Sequence, residues 1–187
     1  MATIDDLVTD ATRRMDKSVE AAHHEFNTLR TGRASPALLD RIQIDYYGTK
    51  TPLKQLATIN APEPRLLTVQ PFDPNSLQSI ERAIQESDLG LTPSNDGKVI
   101  RLPIPQLTEE RRKELVKVVR NMAEEGRVAI RNIRRDVMHH LKELVDKGEV
   151  GSDEEHRAEE RVQKLTDERV HEIDELLKRK EAEIMEV

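Results

Sequence analysis

The chain holds no cysteine, which excludes disulfide frameworks and thiolate metal sites. Aromatic residues are almost missing. Tryptophan is absent, and Phe26, Tyr46, Tyr47 and Phe72 are the only rings of their kind in 187 residues. So few rings argue against a stacking platform for single-stranded bases. No apolar run approaches the roughly 20 residues needed to span a bilayer. The opening MATIDDLVTD is acidic and has no n-region, h-region, cleavage site or Arg-rich transit character. The expectation is a cytoplasmic protein with no membrane partner. No glycine-rich phosphate loop of the GxxxxGKS/T kind occurs, so any GTP chemistry belongs to a partner, and HExxH is absent as well. The histidines are His23, His24, His139, His140, His156 and His171. Neighbours on a helix point about 100° apart, so neither adjacent pair is a ready two-ligand site, and no metal or other cofactor is expected. Thr31-Gly32 and Ser35-Pro36 lie in a loop without a partnered base. No catalytic residue is assigned, and no small-molecule substrate is expected.

What the chain has in quantity is charge. Asp, Glu, Lys and Arg make up 35% of residues, against roughly 25% in an average soluble domain. With many Ala, Leu and Val, this favours long, solvent-washed helices over a large globular core. Ile4, Leu7, Val8, Ala11, Met15, Val19, Ala22, Phe26 and Leu29 recur every three or four positions and predict a helix over 3–30. Gly32 ends it. From 31 to 106 the texture changes, and all nine prolines fall here. Residues 41–46 alternate like a half-buried strand; 66–69 and 99–102 read as further strands and 57–59 as a weaker one. Asp73-Pro74 is an N-cap with proline at the first helical position, opening a short helix to about Ser87. Asn95-Asp96-Gly97 marks a tight turn. Tyr46-Tyr47-Gly48 reads as a strand end entering a turn, which core packing of one ring explains as well as any binding role.

Beyond Pro105 the helical pattern returns. Thr108 is the expected N-cap of a second long helix to about Lys147. Its apolar stripe is Leu115, Val119, Met122, Ala129, Ile130, Ile133, Val137, Leu141 and Leu144. Gly148 and Gly151 break it. Ser152–Glu155 reads as a capping box opening a third helix, with Ala158, Val162, Leu165, Ile173, Leu176 and Ile184 on one face. The expected fold is α+β: an elongated three-helix bundle built from 1–30 and 106–187. A small β/α/β domain, 31–105, is inserted between the first and second helices. Thr31, Gly32, Pro103, Ile104 and Pro105 mark a hinge where the two connecting strands cross.

The formal net charge is −6, yet charge is segregated. Residues 107–147 hold 11 Lys and Arg against 8 Asp and Glu, whereas 148–187 hold 7 against 14. RVAIRNIRRD (127–136) concentrates four arginines. On a helical wheel Lys113, Lys117, Arg120, Arg127, Arg131 and Arg134 line the face opposite Leu115, Met122, Ala129 and Ile133. Glu124 interrupts them and Arg135 sits at the margin. Two readings stand side by side. The arginines pair with the acidic third helix as a solvated face, or they bind phosphates, for which guanidinium forks are suited. The second predicts shape and backbone recognition of folded RNA.

LRTGRASPALLD (29–40), YYGTKTPL (46–53), IERAIQESDLGL (80–91), LTEERRKELVK (107–117), RVAIRNIRRD (127–136), QKLTDE (163–168) and KEAEIMEV (180–187) occur in that order. In these blocks the chain resembles the ribosome recycling factor family over its whole length. The resemblance implies an L-shaped, two-domain protein with a transfer-RNA-like outline, and a monomer is expected. It implies binding to the post-termination ribosome between the subunits, chiefly through large-subunit ribosomal RNA. With elongation factor G and its GTP hydrolysis, such a factor splits the subunits and has no catalytic centre of its own. By this resemblance Arg127, Arg131, Arg134 and Arg135 occupy RNA-contacting positions, with Arg134 the costliest to lose. Arg30 and Arg33 are weaker candidates, set against a reading as hinge salt bridges. Gly126 departs from the family's usual helix former. A helical protein-interaction module or holdase without ribosome binding is the alternative from another class.

Overall fold

The computed structural model of the protein describes Thr3–Glu186. Met1, Ala2 and Val187, which the expected bundle segments include, lie outside the described residues. The chain divides into two units, one of residues up to Asn27 and from Lys113 onward, the other Thr28–Arg112.

The first unit is built from α1 (Ile4–Thr28), α4 (Glu109–Asp146) and α5 (Ser152–Met185). Thr3 starts α1 through a reciprocal cap: its hydroxyl accepts from the Asp6 N–H at 3.1 Å while its own N–H donates to the Asp6 carboxylate at 2.8 Å. Thr108 caps α4 as expected, accepting from the Arg111 N–H at 3.1 Å. At the other end Gly148 takes φ +72. The Gly148 and Glu149 N–H groups donate to Val145 and Leu144 carbonyls at 2.9 and 3.0 Å, a Schellman ending. The capping box expected at Ser152 does not form. Gly151 stands at the N-cap with no side chain closing the first turn, and the acidic turn Asp153, Glu154, Glu155 favours the helix start through its dipole instead.

The bundle core differs from the expected stripe in one respect. Leu115, Val119, Ala123, Ile130, Ile133, Val137, Leu141 and Leu144 of α4 are buried, whereas Met122 and Ala129 are only half-buried. The face that points inward is turned by roughly 50° toward Ala123. Gly126 lies in that face. A methyl group there would stand 2.9 Å from Cδ1 of Ile173 on α5 and 3.5 Å from Cβ of Ala22 on α1. All three helices meet at this layer, which accounts for a glycine that costs an α-helix about 1 kcal/mol relative to alanine.

In the second unit, β1 (Gln43–Tyr46) and β2 (Thr49–Pro52) form a hairpin. Its Tyr47-Gly48 turn has φ of 50° and 80°, as a type I′ turn requires. A single helical turn, α2 (Leu53–Leu56), leads into β3 (Ala57–Glu63) and β4 (Leu66–Pro71). After α3 (Leu77–Glu86) come β5 (Ser94–Asn95) and β6 (Ile100–Pro103). Strand order is β3-β4-β6-β5, antiparallel throughout. The register sets Leu67 opposite Leu102 and Val69 opposite Ile100, so four buried side chains share one face and join Ile80 and Ile84 of α3 in one core. Asp73 caps as expected, but a 3-10 turn (Pro74–Ser76) intervenes before α3. Neither tyrosine of the hairpin is a core ring. Tyr47 is 82% exposed, and Tyr46, half-buried, donates its hydroxyl to Asp73 at 3.2 Å.

The residues expected to form a hinge all lie in this second unit, and Pro103 and Pro105 are exposed. Thr31 is buried, and a Cβ on Gly32, at φ +77, would meet Leu107 at 3.1 Å. Pro103 pairs with Leu66. Ile104 is buried, its N–H donating to the Arg65 carbonyl at 2.8 Å. Backbone pairing thus holds Pro103 and Ile104, while Pro105 stands exposed beyond the strand.

Gly126→Leu should lower stability by about 3 kcal/mol through overpacking, and Gly126→Ala far less, because regained helix propensity offsets the overlap with Ile173; denaturant titration measures both. In the β5–β6 turn, Asp96 accepts from the Lys98 and Val99 N–H groups at 3.0 and 2.8 Å and from Arg101 at 3.0 Å. Chiefly through the Val99 and Lys98 bonds, its carboxyl is pushed down to about 2. Its stabilisation is therefore complete above the ordinary value of 3.8 and lost as pH falls through about 2. An NMR titration of the Asp96 carboxyl should show a midpoint near 2, with the Val99 amide shifting alongside.

Candidate nucleic-acid interface

Arg120, Arg127 and Arg134 recur every seven residues, close to two helical turns. They fall on one flank of α4, roughly 60–100° from the centre of its buried face. This corrects the expectation that they point away from the core; the turn of the buried face toward Ala123 carries them toward α5. Arg120 donates to Glu181 at 2.6 Å. Arg127 stands 2.7 Å from Asp174. Numbers rise along α4 as they fall along α5, so the helices are antiparallel, and the next acid in step is Asp167. Arg134 reaches it through a relay: its guanidinium donates to Gln163 Oε1 at 3.3 Å, and Gln163 Nε2 donates to Asp167 at 2.9 Å. The reading of arginines paired with the acidic third helix thus holds for this flank.

The seams to α1 are closed in the same way. Arg14 bridges Asp136 at 2.6 Å, Arg169 of α5 holds Asp16 at 2.6 Å and Arg161 holds Asp5 at 3.0 Å. The hydrogen bond from Arg14, partly opposed by desolvation, keeps the Asp136 carboxyl below its usual range. Arg127 is the most enclosed of the candidate arginines whose ion pairs are described here, its side chain 19% exposed. Burial works against its charge, but hydrogen bonds to Asp174 and Glu124 outweigh that and raise its pKa.

What remains outward is narrower than the full set. Lys117, Glu124, Arg131, Arg135 and Lys142 form a strip along the side of α4 away from the core, with Lys117, Arg135 and Lys142 exposed. Arg131 is half-exposed and bonded to Glu124 at 3.2 Å. Lys113 is exposed toward the start of the helix. At 1.5 Å per residue the strip extends about 37 Å, long enough to follow several phosphates. Arg30 is engaged elsewhere, donating to the Leu89 and Asp88 carbonyls at 3.1 and 3.2 Å, and so ties the loop after α3. Arg33 is exposed on the same unit. His139 and His140 sit by Glu143 at 3.3 Å each, on the α4 surface. The partners Asp174 and Glu181 were not singled out from the sequence. Their matching seven-residue step, run backwards along α5, is the signal that marks them.

The family model described as ribosome recycling factor matches residues 22–185. This chain belongs to the ribosome recycling factor family. A ribosome-recycling factor of Rubrobacter xylanophilus is 61% identical over 187 residues and all of both chains. One from Halalkalibacterium halodurans is 57% identical over 97% of this chain and 98% of its own. Among solved structures, a solution structure of the ribosome recycling factor superposes with TM-score 0.79 at 45% identity, covering 98% of each chain. Models of the T. thermophilus ribosome recycling factor and the E. coli elongation factor G bound to the E. coli post-termination complex include a chain with TM-score 0.70 and 50% identity. That match covers 98% of this chain and all of the other. The α+β architecture of long helices and a small β-rich unit is the family's. Its name is that of a translation factor rather than an enzyme. Among the described residues no helix is long and apolar enough to cross a membrane.

Two arginines of the same cluster should respond oppositely in unfolding experiments. Arg127→Met should cost about 1 kcal/mol or more, with most of it recovered as coupling to Asp174→Asn in a double-mutant cycle. Arg135→Met should stay within about 0.5 kcal/mol of the parent.

Proposed function

We propose that this protein dissociates post-termination ribosomes into subunits together with elongation factor G and GTP, so that they can be reused. The observation that carries the reading is the end-to-end likeness to ribosome-recycling factors, one of them in a complex with elongation factor G on the ribosome. Binding is through large-subunit ribosomal RNA, with the outward strip of α4 as the gripping surface: Lys117, Arg131 and Arg135, assisted by Lys113. Arg120, Arg127 and Arg134 act chiefly as the seam that holds this helix against α5. Arg134 keeps a share in RNA contact, since its partner Gln163 is neutral. Arg30 and Arg33 are secondary contacts. The protein works as a monomer in the cytoplasm, uses no cofactor and leaves nucleotide hydrolysis to its partner. Pro103 and Pro105 are exposed, and flexing between the units is assigned to the segments 30–33 and 103–106.

Light scattering of purified post-termination ribosomes should fall only when this protein, elongation factor G and GTP are all present. Affinity for ribosomes should drop steeply with salt. Lys117→Ala and Arg135→Ala should each weaken binding while leaving the unfolding midpoint nearly unchanged. A flat salt response, or dissociation without the protein, would overturn the reading.

A further inference from the structure

We infer that Glu124 is a built-in stand-in for a backbone phosphate: in the unbound protein it occupies Arg131, and a phosphate of bound RNA takes its place. The inference rests on the reading of the α4 strip as the RNA-contacting surface. Glu124 is the one carboxylate in the row Lys117, Glu124, Arg131, Arg135, Lys142. Both of its oxygens are taken, Oε1 by Arg131 at 3.2 Å and Oε2 by Arg127 at 3.0 Å. A guanidinium N–H donates to a carboxylate oxygen or a phosphate oxygen alike, so the single oxygen that Glu124 offers Arg131 is an acceptor of the kind RNA would bring.

The two arginines that hold Glu124 are not equivalent. Arg127 is mostly enclosed and is fixed a second time by Asp174 at 2.7 Å. Arg131 is 42% exposed, and its ion pair is with Glu124. An arriving phosphate therefore displaces Glu124 from Arg131, while Arg127 keeps hold of the carboxylate and stops it from swinging free. The hydrogen bond from Arg127 foremost, opposed by desolvation and helped by Arg131, holds the Glu124 carboxyl below its ordinary value. The competitor is thus charged throughout the neutral range. Its consequence is selectivity. An isolated phosphate must break an existing pair to reach Arg131, whereas an RNA that also meets Lys117 and Arg135 compensates for that loss.

The test measures affinity of the full-length protein for purified large ribosomal subunits over a range of potassium chloride. Wild type, Glu124→Gln, Arg131→Gln and the double variant are compared. Glu124→Gln should tighten binding about threefold, the size of one exposed ion pair, and that gain should vanish in the Arg131→Gln background. Unchanged or weaker binding by Glu124→Gln overturns the inference. So does an equal gain in both backgrounds, which would mean general repulsion of RNA rather than occupation of Arg131. Thermal unfolding of each variant separates loss of fold from loss of contact. Lys117→Ala and Arg135→Ala distinguish a failed stand-in from a strip that does not bind RNA. If they weaken binding while Glu124→Gln does nothing, only the stand-in fails; if they bind as wild type and salt has no effect, the strip itself is not the RNA surface.

Discussion

Arg127 lies between two carboxylates, Glu124 one turn back on its own helix and Asp174 on the antiparallel neighbour. This one guanidinium joins the helix seam to the solvent face. On one side it belongs to a ladder, Arg120–Glu181, Arg127–Asp174 and Arg134–Gln163–Asp167, that runs the α4–α5 seam at seven-residue steps. On the other it fixes the acid that shares Arg131. Exposed ion pairs contribute little singly, but a ladder in step penalises a slip of one turn, which would bring Lys178, His171 and Lys164 toward the arginines. Apolar packing alone is less selective, since Leu and Val stripes tolerate sliding better than paired charges do.

The same arrangement divides the labour of a basic helix in an acidic protein. Positions that flank the buried face give their charge to the neighbouring helix. Positions about a quarter turn further round keep theirs for solvent, or for an anionic partner. A modest rotation of the buried face decides which arginine does which. Gly126 takes part in that decision, because without a Cβ it lets Ile173 and Ala22 approach this face of α4 closely.

The second unit follows a different logic. Its core is small and rests on the strict alternation of β4 and β6 against α3, where Leu67, Val69, Ile100, Leu102, Ile80 and Ile84 are fully buried. Hydrogen-bonded turns close its edges: Asp96 gathers two backbone N–H groups and Arg101, while Asp73 serves both a 3-10 turn and Tyr46. Pro52, Pro71 and Pro103 end strands here, and Gly48 and Gly97 sit in the two hairpin turns at positive φ.

Periodicity by itself determined the long helices, the change of texture at the inserted segment and the core strands β4 and β6, because apolar spacing of 3.6 or 2 reflects local backbone geometry. Thr108 and Asp73 were legible as caps for the same local reason. The strand β2, Thr-Lys-Thr-Pro, was not, since its polar sequence becomes a strand only by pairing with β1. Neither was the failure of Ser152 to cap, because a glycine one residue earlier fits the required backbone. The cationic cluster was visible as residues but not as roles. Whether an arginine meets water or a carboxylate depends on a rotation of tens of degrees about the helix axis, and that angle is set by which side chains of three helices interlock. Only the packed bundle could separate Arg127 from Arg131.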